Sequence, residues 1–114
     1  MFAVIFEVYP TAEGKEEYME IAANLRTFLE DRDGFISIER FQSLNEEGKI
    51  LSLSFWRDEE AIAAWRNLYE HRSAQQQGKL ELFSNYRIRV AEVVRDYSLT
   101  CRHEAPRDSV NALD

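Results

Sequence analysis

Hydrophobic and polar residues are arranged along this chain in four short runs that are typical of strands. A nearly continuous apolar run over residues 2–9 predicts a central strand covered on both faces, with Glu7 as its only charge. Alternating runs over residues 35–44, 49–57 and 86–94 predict three more strands. The first two of these are separated by Asn-Glu-Glu-Gly, which predicts a hairpin turn between antiparallel strands.

Two other segments have the helical period. From residue 13 to residue 30 one stripe is apolar and contains Tyr18, Ile21, Ala22, Leu25, Phe28 and Leu29. Gly34 follows this helix and can take a left-handed conformation. Asp58 is a good N-cap, so a second helix is predicted from there to about residue 67, followed by a kink and further helix that ends at Gly78.

The predicted order βαββαβ is that of the ferredoxin-like fold. It is an α+β arrangement in which two helices cover one face of a four-stranded antiparallel sheet. Alternation predicts that Phe55 points toward the helices. It assigns the following residues to the other face: Ser37, Glu39, Phe41, Ser52, Ser54, Trp56, Arg87 and Arg89.

An exposed sheet face that carries Trp56 and Phe41 would be an unusual apolar patch for a monomer. We therefore expect a second copy to pack on this face in a symmetric homodimer. Glu39 with Arg87 or Arg89 is interpreted as an ion-pair network that fixes the register of this dimer, in preference to a catalytic cluster.

Composition narrows the classes of partner and the cellular location. A net charge of −7 argues against binding to nucleic acid or to an anionic membrane, and a single cysteine excludes an internal disulfide framework. Because the first residues are better explained as a strand than as a signal peptide, we expect a cytoplasmic protein. Residues 1–94 are predicted to form one domain, and residues 95–114 a polar tail that packs on the partner subunit or stays loose.

Three segments carry a resemblance to a known family. They are residues 33–41 (Asp-Gly-Phe-Ile-Ser-Ile-Glu-Arg-Phe), residues 51–58 (Leu-Ser-Leu-Ser-Phe-Trp-Arg-Asp), and Ala-Trp-Arg at 64–66 with His-Arg at 71–72. Over about residues 1–94 the chain resembles the antibiotic biosynthesis monooxygenase family, whose members are dimeric α+β barrels. The tail is similar to that of a bacterial subgroup for which the resemblance names no substrate.

The resemblance implies a pocket between the helices and the sheet of each subunit. Some family members use it for cofactor-free oxygenation of polycyclic phenols or quinols, in which the deprotonated substrate itself supplies the electron to O2. Others bind and degrade haem, with a helix tryptophan, a histidine ligand further along that helix and an asparagine on the first strand.

Trp65 matches the helix tryptophan, but the ligand position falls near Gln75 and the first strand contains no asparagine. His71 lies one helical turn before Gln75. We therefore expect no cofactor, with haem as the less favoured alternative.

Trp65 and His71 are the first candidate site residues. Trp65 would line the pocket, although core packing alone is the favoured interpretation because aromatic stripes on helices usually belong to the core. His71 would act as a general base or would orient the substrate, since the unperturbed pKa of histidine suits that role. The alternative for His71 is a helix-terminal histidine bonded to a carbonyl group or to solvent.

The remaining candidates complete the pocket. One role for Arg66 and Arg72 is to bind an anionic substrate group. The favoured interpretation is that they form ion pairs with Glu59, Glu60 or Glu70. Tyr69 and Tyr86 could each donate a hydrogen bond to a developing oxyanion, or could simply pack with the ring inside and the hydroxyl group outside. The sequence does not decide between these two roles. Gln75 and Phe55 are the other predicted lining residues.

The functional prediction is a homodimeric, cofactor-independent monooxygenase that acts on a small aromatic or quinol-like molecule. No metal-ligand spacing, phosphate-binding glycine loop, catalytic triad or dinucleotide fingerprint points to another chemistry. One alternative is a non-enzymatic dimeric module that binds a hydrophobic ligand or serves in a stress response. The other is a haem-binding or haem-degrading protein with altered ligation.

Overall fold

The structure is a computed structural model that describes residues 1–75 and 83–109, and for residues 68–75 it describes the backbone alone. Its elements, in chain order, are β1 (Phe2–Pro10), α1 (Lys15–Leu29), β2 (Phe35–Gln42), β3 (Ile50–Trp56), α2 (Glu59–Gln75) and β4 (Phe83–Glu92). All strand pairs are antiparallel, and the sheet order is β2-β3-β1-β4. The predicted ferredoxin-like α+β fold is therefore confirmed, and β1 is a central strand as predicted.

The boundaries differ from the prediction mainly at the second helix and the last strand. α2 is one continuous helix through Gln75, so it crosses the position where a kink was predicted without a break in secondary structure. The predicted stop at Gly78 lies outside the described residues. β4 begins at Phe83, three residues before the predicted start, and ends at Glu92. Within the described ranges, no helix has the length and apolar character needed to cross a lipid bilayer.

The strand register shows which face of the sheet the helices cover. In all four strands the even-numbered residues face the helices and the odd-numbered ones the open side, except at two bulges. One bulge is near Phe35. The other is between Tyr9 and Pro10, where Phe83 of β4 lies on the helix side. Ser52, Ser54 and Trp56 are accordingly buried, with Trp56 only 1% exposed. The prediction that these three residues lie on the open face is wrong.

The physical reason is that alternation defines two faces but does not say which one is covered. Small hydroxyl groups can lie beneath a helix when they have hydrogen-bond partners. Ser54 accepts a hydrogen bond from the indole N–H of Trp56 at 2.9 Å, which satisfies both buried groups. The open face instead carries Leu51, Leu53 and Phe55, all half-buried.

Two apolar clusters fix the helices on the sheet. In one, Leu29 of α1 and Ile62 of α2 pack around Trp56. In the other, Tyr18 of α1 packs on Val8 and Ile50. Of the stripe predicted for α1, Tyr18, Ala22 and Leu29 are buried, whereas Phe28 is 40% exposed.

Candidate functional site

The helix-covered face of the sheet has an aromatic cluster at the end where β3 leads into α2. The Trp56 ring lies 5.3 Å from the Phe35 ring and 6.4 Å from the Trp65 ring, measured between centroids. Trp65 is half-buried and packs against this cluster, as the core interpretation of Trp65 predicts.

Ion pairs of Arg57 connect the end of β3 to the loop before β2 and to the start of α2. The Arg57 guanidinium makes two hydrogen bonds to Asp33, at 2.9 and 3.0 Å, and a third to Asp58 at 2.9 Å. Asp58 also accepts the backbone N–H of Ala61 at 2.9 Å, which confirms the predicted N-cap. These bonds lower the pKa of Asp33 and of Asp58, in both cases first through the hydrogen bond from Arg57.

Gly34 closes the same junction. Its φ is +84°, as the sequence predicts for a residue at this position, and its carbonyl oxygen accepts the Arg57 N–H at 2.7 Å. A Cβ atom at position 34 would lie 2.6 Å from the Cβ of Ala61. The Asp-Gly and Arg-Asp pairs that carry the family resemblance therefore act here as a structural joint between the loop before β2 and the start of α2.

A second aromatic cluster lies at the opposite end of the same face. The Phe83 ring is 5.3 Å from Tyr18 and 6.1 Å from Phe6, and Tyr86 packs edge-on against Phe6 at 5.9 Å. Tyr86 is 58% exposed. Its ring contacts agree with amphipathic packing and leave the phenol accessible.

Between these clusters the helix-covered face carries polar side chains on β3 and β2. Ser52 and Ser54 are buried there, and the register places Arg40 of β2 opposite Ser52. Sequence reasoning missed Arg40. The signal that was present is its even position beside Ile38, which assigns both residues to the helix-covered face once the orientation of β3 is known.

The structure has a cavity on each side of the sheet. One of about 520 Å³ lies between α1 and the edge strand β2 and is lined by Arg26, Ile38 and Arg40 among others. The other, of about 410 Å³, lies on the open face beside Phe41 and Leu51. Trp65 is in the wall of neither cavity.

The open face carries a charge network within one chain. The Glu7 carboxylate pairs with Lys49 at 2.5 Å and also with Arg89. Glu39 cannot reach Arg89 within one chain, because β3 and β1 lie between their strands, so the predicted pairing of these residues across a dimer interface stays a prediction. The hydrogen bond from Lys49 is the largest cause that lowers the pKa of Glu7, and the bond to Glu7 raises the pKa of Lys49.

The predicted site residues are distributed unevenly in the structure. Phe55 lies on the open face, so the sheet separates it from Trp65, and the two cannot line one pocket within a subunit. Arg66 is exposed and makes no ion pair with any side chain that the structure describes, so the favoured pairing with Glu59 or Glu60 is not seen. The side chains of Tyr69, His71, Arg72 and Gln75 lie outside the described residues, as does that of Glu70.

Metal binding finds no support in the part of the chain that is described. Residues 1–75 and 83–109 contain no group of three or more histidine, cysteine, aspartate or glutamate side chains arranged to hold a metal ion. The closest approach of two such groups in the tail is between Cys101 and His103, whose Sγ and Nδ1 atoms lie 3.4 Å apart on the exposed surface.

These features define a ferredoxin-like α+β protein with an aromatic and partly polar space between its sheet and helices. A sequence profile of the family described as antibiotic biosynthesis monooxygenase matches residues 1–77. The chain belongs to this family.

Similar proteins fit the same assignment. Jasmonate monooxygenase ABM from Pyricularia oryzae is 45% identical over 93 residues, which are 82% of this chain and 43% of that protein. This chain thus matches less than half the length of that relative. A putative antibiotic biosynthesis monooxygenase from Deinococcus radiodurans has a TM-score of 0.72 at 15% identity and covers 86% of this chain and 97% of its own.

The heme-degrader MhuD from Mycobacterium tuberculosis, with two hemes bound in its active site, has the same fold. Its TM-score is 0.67 at 18% identity, and the match covers 86% of this chain and all of that chain (100%). At such identities the two solved structures show the likeness of the fold alone.

Proposed function

We propose that this protein is a small monooxygenase that acts on a compact, largely apolar organic molecule held between its helices and sheet. The observation that carries the proposal is the 45% identity to a relative named as a jasmonate monooxygenase, within a family match that runs from β1 through α2. An aromatic or quinol-like molecule is the first substrate class. Jasmonate, a cyclic ketone with a carboxylate, is the second compound to test.

A reaction without a cofactor requires a substrate that supplies its own electrons. The substrate loses a proton, the resulting anion reduces O2, one oxygen atom stays in the product and the other leaves as water. A methylene group and one molecule of O2 thereby give one carbonyl group and one molecule of water. The protein then has to exclude water, hold the ring and accept one proton. The two aromatic clusters on the helix-covered face supply apolar walls for this task.

His71 of α2 is the proposed base. Burial among apolar groups lowers the pKa of a histidine, so an imidazole in such a slot is neutral and can accept the proton. Trp65, six residues earlier on the same helix, would contact the ring of the substrate.

Haem does not fit the residues that the structure describes. The helix-facing positions of β1 are Phe2, Val4, Phe6 and Val8, none of which offers an amide or imidazole group. The Trp56 and Trp65 rings pack on each other with their centroids 6.4 Å apart. Haem therefore has no part in the proposed mechanism.

The active form is proposed to be a homodimer joined through the open sheet face. That face combines half-buried Leu51, Leu53 and Phe55 with Glu39 at the β2 edge and two arginines, Arg87 and Arg89, on β4 at the other edge. A twofold axis parallel to the strands places β2 of one subunit over β4 of the next, so that the acidic edge meets the basic edge. An axis perpendicular to the strands would place like charges together.

The mass in solution tests this assembly. We expect twice the 13.4 kDa of one chain by light scattering, and dissociation in Leu53→Asp because an unpaired charge would be buried at the interface. Leu44→Asp is the matched control, since Leu44 is fully exposed (100%) in the hairpin loop. A monomeric wild type would overturn the proposal.

Oxygen uptake tests the function. The purified protein is mixed with hydroquinones, polycyclic phenols and jasmonate in an oxygen electrode, and uptake proportional to protein concentration is expected with at least one compound. His71→Ala should lower turnover far more than stability, whereas His103→Ala, which removes an exposed tail histidine, should leave turnover unchanged. Unchanged turnover in His71→Ala would reject the role of that residue. Binding without uptake would favour the non-enzymatic module.

A further inference from the structure

The helices do not cover all strands of their face of the sheet equally. On β3 the side chains of Ser52 and Ser54 are buried, each only 6% exposed. On the edge strand β4 the residues of the same face are Tyr86, Ile88 and Val90, which are 58%, 54% and 45% exposed. An apolar stripe on β4 therefore remains accessible at the side of the helix-covered face.

Strand β1 connects this stripe to the buried serines. Phe6 lies between Ser52 on one side and Ile88 on the other, and Val4 lies in the same way between Ser54 and Val90. Phe6 and Val4 are half-buried. The surface from β4 to β3 spans two strand spacings, roughly 10 Å in all, which suits a flat molecule of about two rings.

The two buried serines differ in their hydrogen bonds. Ser54 accepts the indole N–H of Trp56, whereas the Ser52 side chain makes no hydrogen bond within the described residues. The Ser52 oxygen is also not sealed from solvent, as the Nε atom of Arg40 is. Because a buried hydroxyl group without a partner is unfavourable, the position of Ser52 is explained if a bound molecule supplies the partner.

We propose that Ser52 is a substrate-binding residue that holds the one polar oxygen of a flat, otherwise apolar molecule, whose rings lie on Phe6, Ile88 and Val90. A serine hydroxyl group can donate a hydrogen bond to a keto or phenolate oxygen and can accept one from a phenol. The ligand class is thus a ring compound with a hydroxyl or keto group at one end. That this ligand is the molecule oxygenated rests on the proposed function, whereas its binding does not.

Two ligands of similar size, 2-naphthol and 2-methylnaphthalene, test the hydrogen bond by equilibrium dialysis. Ser52→Ala should bind 2-naphthol about three- to tenfold more weakly than the wild type, as the loss of one hydrogen bond implies. It should bind 2-methylnaphthalene as the wild type does. Ser37→Ala is the matched control, because Ser37 is exposed and lies opposite Phe55 on the open face, and it should bind both ligands unchanged.

Urea unfolding tests whether the Ser52 hydroxyl group lacks a partner in the free protein. Ser52→Ala should leave the urea midpoint unchanged or raise it, since removal of an unpaired buried hydroxyl group relieves a cost. Ser54→Ala should lower the midpoint, because it leaves the Trp56 indole without an acceptor. An equal fall in both variants would show that Ser52 is already bonded and would overturn its role.

A measurement on the wild type covers the case in which Ser52→Ala fails to fold. Nuclear Overhauser effects are expected between the ring protons of 2-naphthol and the methyl groups of Ile88 and Val90, and none to those of Leu51 on the open face. No binding of 2-naphthol, equal affinity of the wild type and Ser52→Ala, or Overhauser effects to Leu51 alone would overturn the site. Oxygen uptake is not used as a readout, so failure of the monooxygenase proposal and failure of this site give different results.

Discussion

Gly34→Ala should destabilise the fold for two separable reasons. A non-glycine residue at φ +84° costs about 1–2 kcal/mol in backbone energy. The new Cβ would lie 2.6 Å from the Cβ of Ala61, and relief of such an overlap by movement of α2 costs about 1–3 kcal/mol. The sum is about 2–5 kcal/mol, a large part of the stability of a small domain.

The assay is urea unfolding at fixed protein concentration, with thermal unfolding beside it. At about 4 °C per kcal/mol, the expected fall in Tm is roughly 8–20 °C. Gly48→Ala is the matched control, because Gly48 has no positive φ and a Cβ there would meet nothing within 4 Å. It should change stability by less than about 0.5 kcal/mol.

A double-mutant cycle separates the two causes. Ala61→Gly removes the contacted Cβ, so Gly34→Ala should cost about 1–3 kcal/mol less in that background, while the backbone part persists. Equal stability of Gly34→Ala and Gly48→Ala would refute the reasoning about this joint. The same cost in both backgrounds would refute the contact with Ala61.

Three further predictions concern single hydrogen bonds and one carboxylate. Ser54→Ala leaves the buried indole N–H of Trp56 without an acceptor and should cost about 1–3 kcal/mol in urea unfolding; a cost near zero would mean that another acceptor takes its place. Asp58→Ala removes the N-cap bond to Ala61 and should cost about 1 kcal/mol, with Asp58→Asn retaining most of it. Because the pKa of Glu7 is lowered in the folded state, its stabilising effect is complete above its unfolded pKa of about 4 and is lost as pH falls below that value. Glu7→Gln should therefore show a weaker loss of stability between pH 5 and 2 than the wild type, and an equal loss in both would contradict the assignment.

The sequence predicted the elements well because each carries a local signal. Asp58 followed by two glutamates marks a helix start whatever the helix packs against, and Gly34 marks a left-handed turn for the same reason. The orientation of β3 had no such signal. Its alternation separates Ser54 and Trp56 from Leu53 correctly, but which set lies beneath the helices depends on contacts with α1 and α2 that are distant in sequence.

Dependence on contacts that are distant in sequence also explains why the partners of the charged residues could not be predicted. Glu39 and Arg89 both have odd numbers in alternating strands, which places their side chains on the same face of the sheet. Only the strand order shows that two strands separate them, and only the structure shows that Glu7 is the partner of Arg89. Arg40 was missed because one arginine in an alternating strand usually marks a solvated position. Its cavity exists only once α1 is packed beside the edge of β2.

The most direct test of the central claim is oxygen uptake with labelled O2 and the compound panel described above. The account predicts protein-dependent uptake with at least one compound and a product that contains one atom of oxygen-18 per molecule. No uptake above the blank with any compound, from a folded protein, would contradict the monooxygenase proposal.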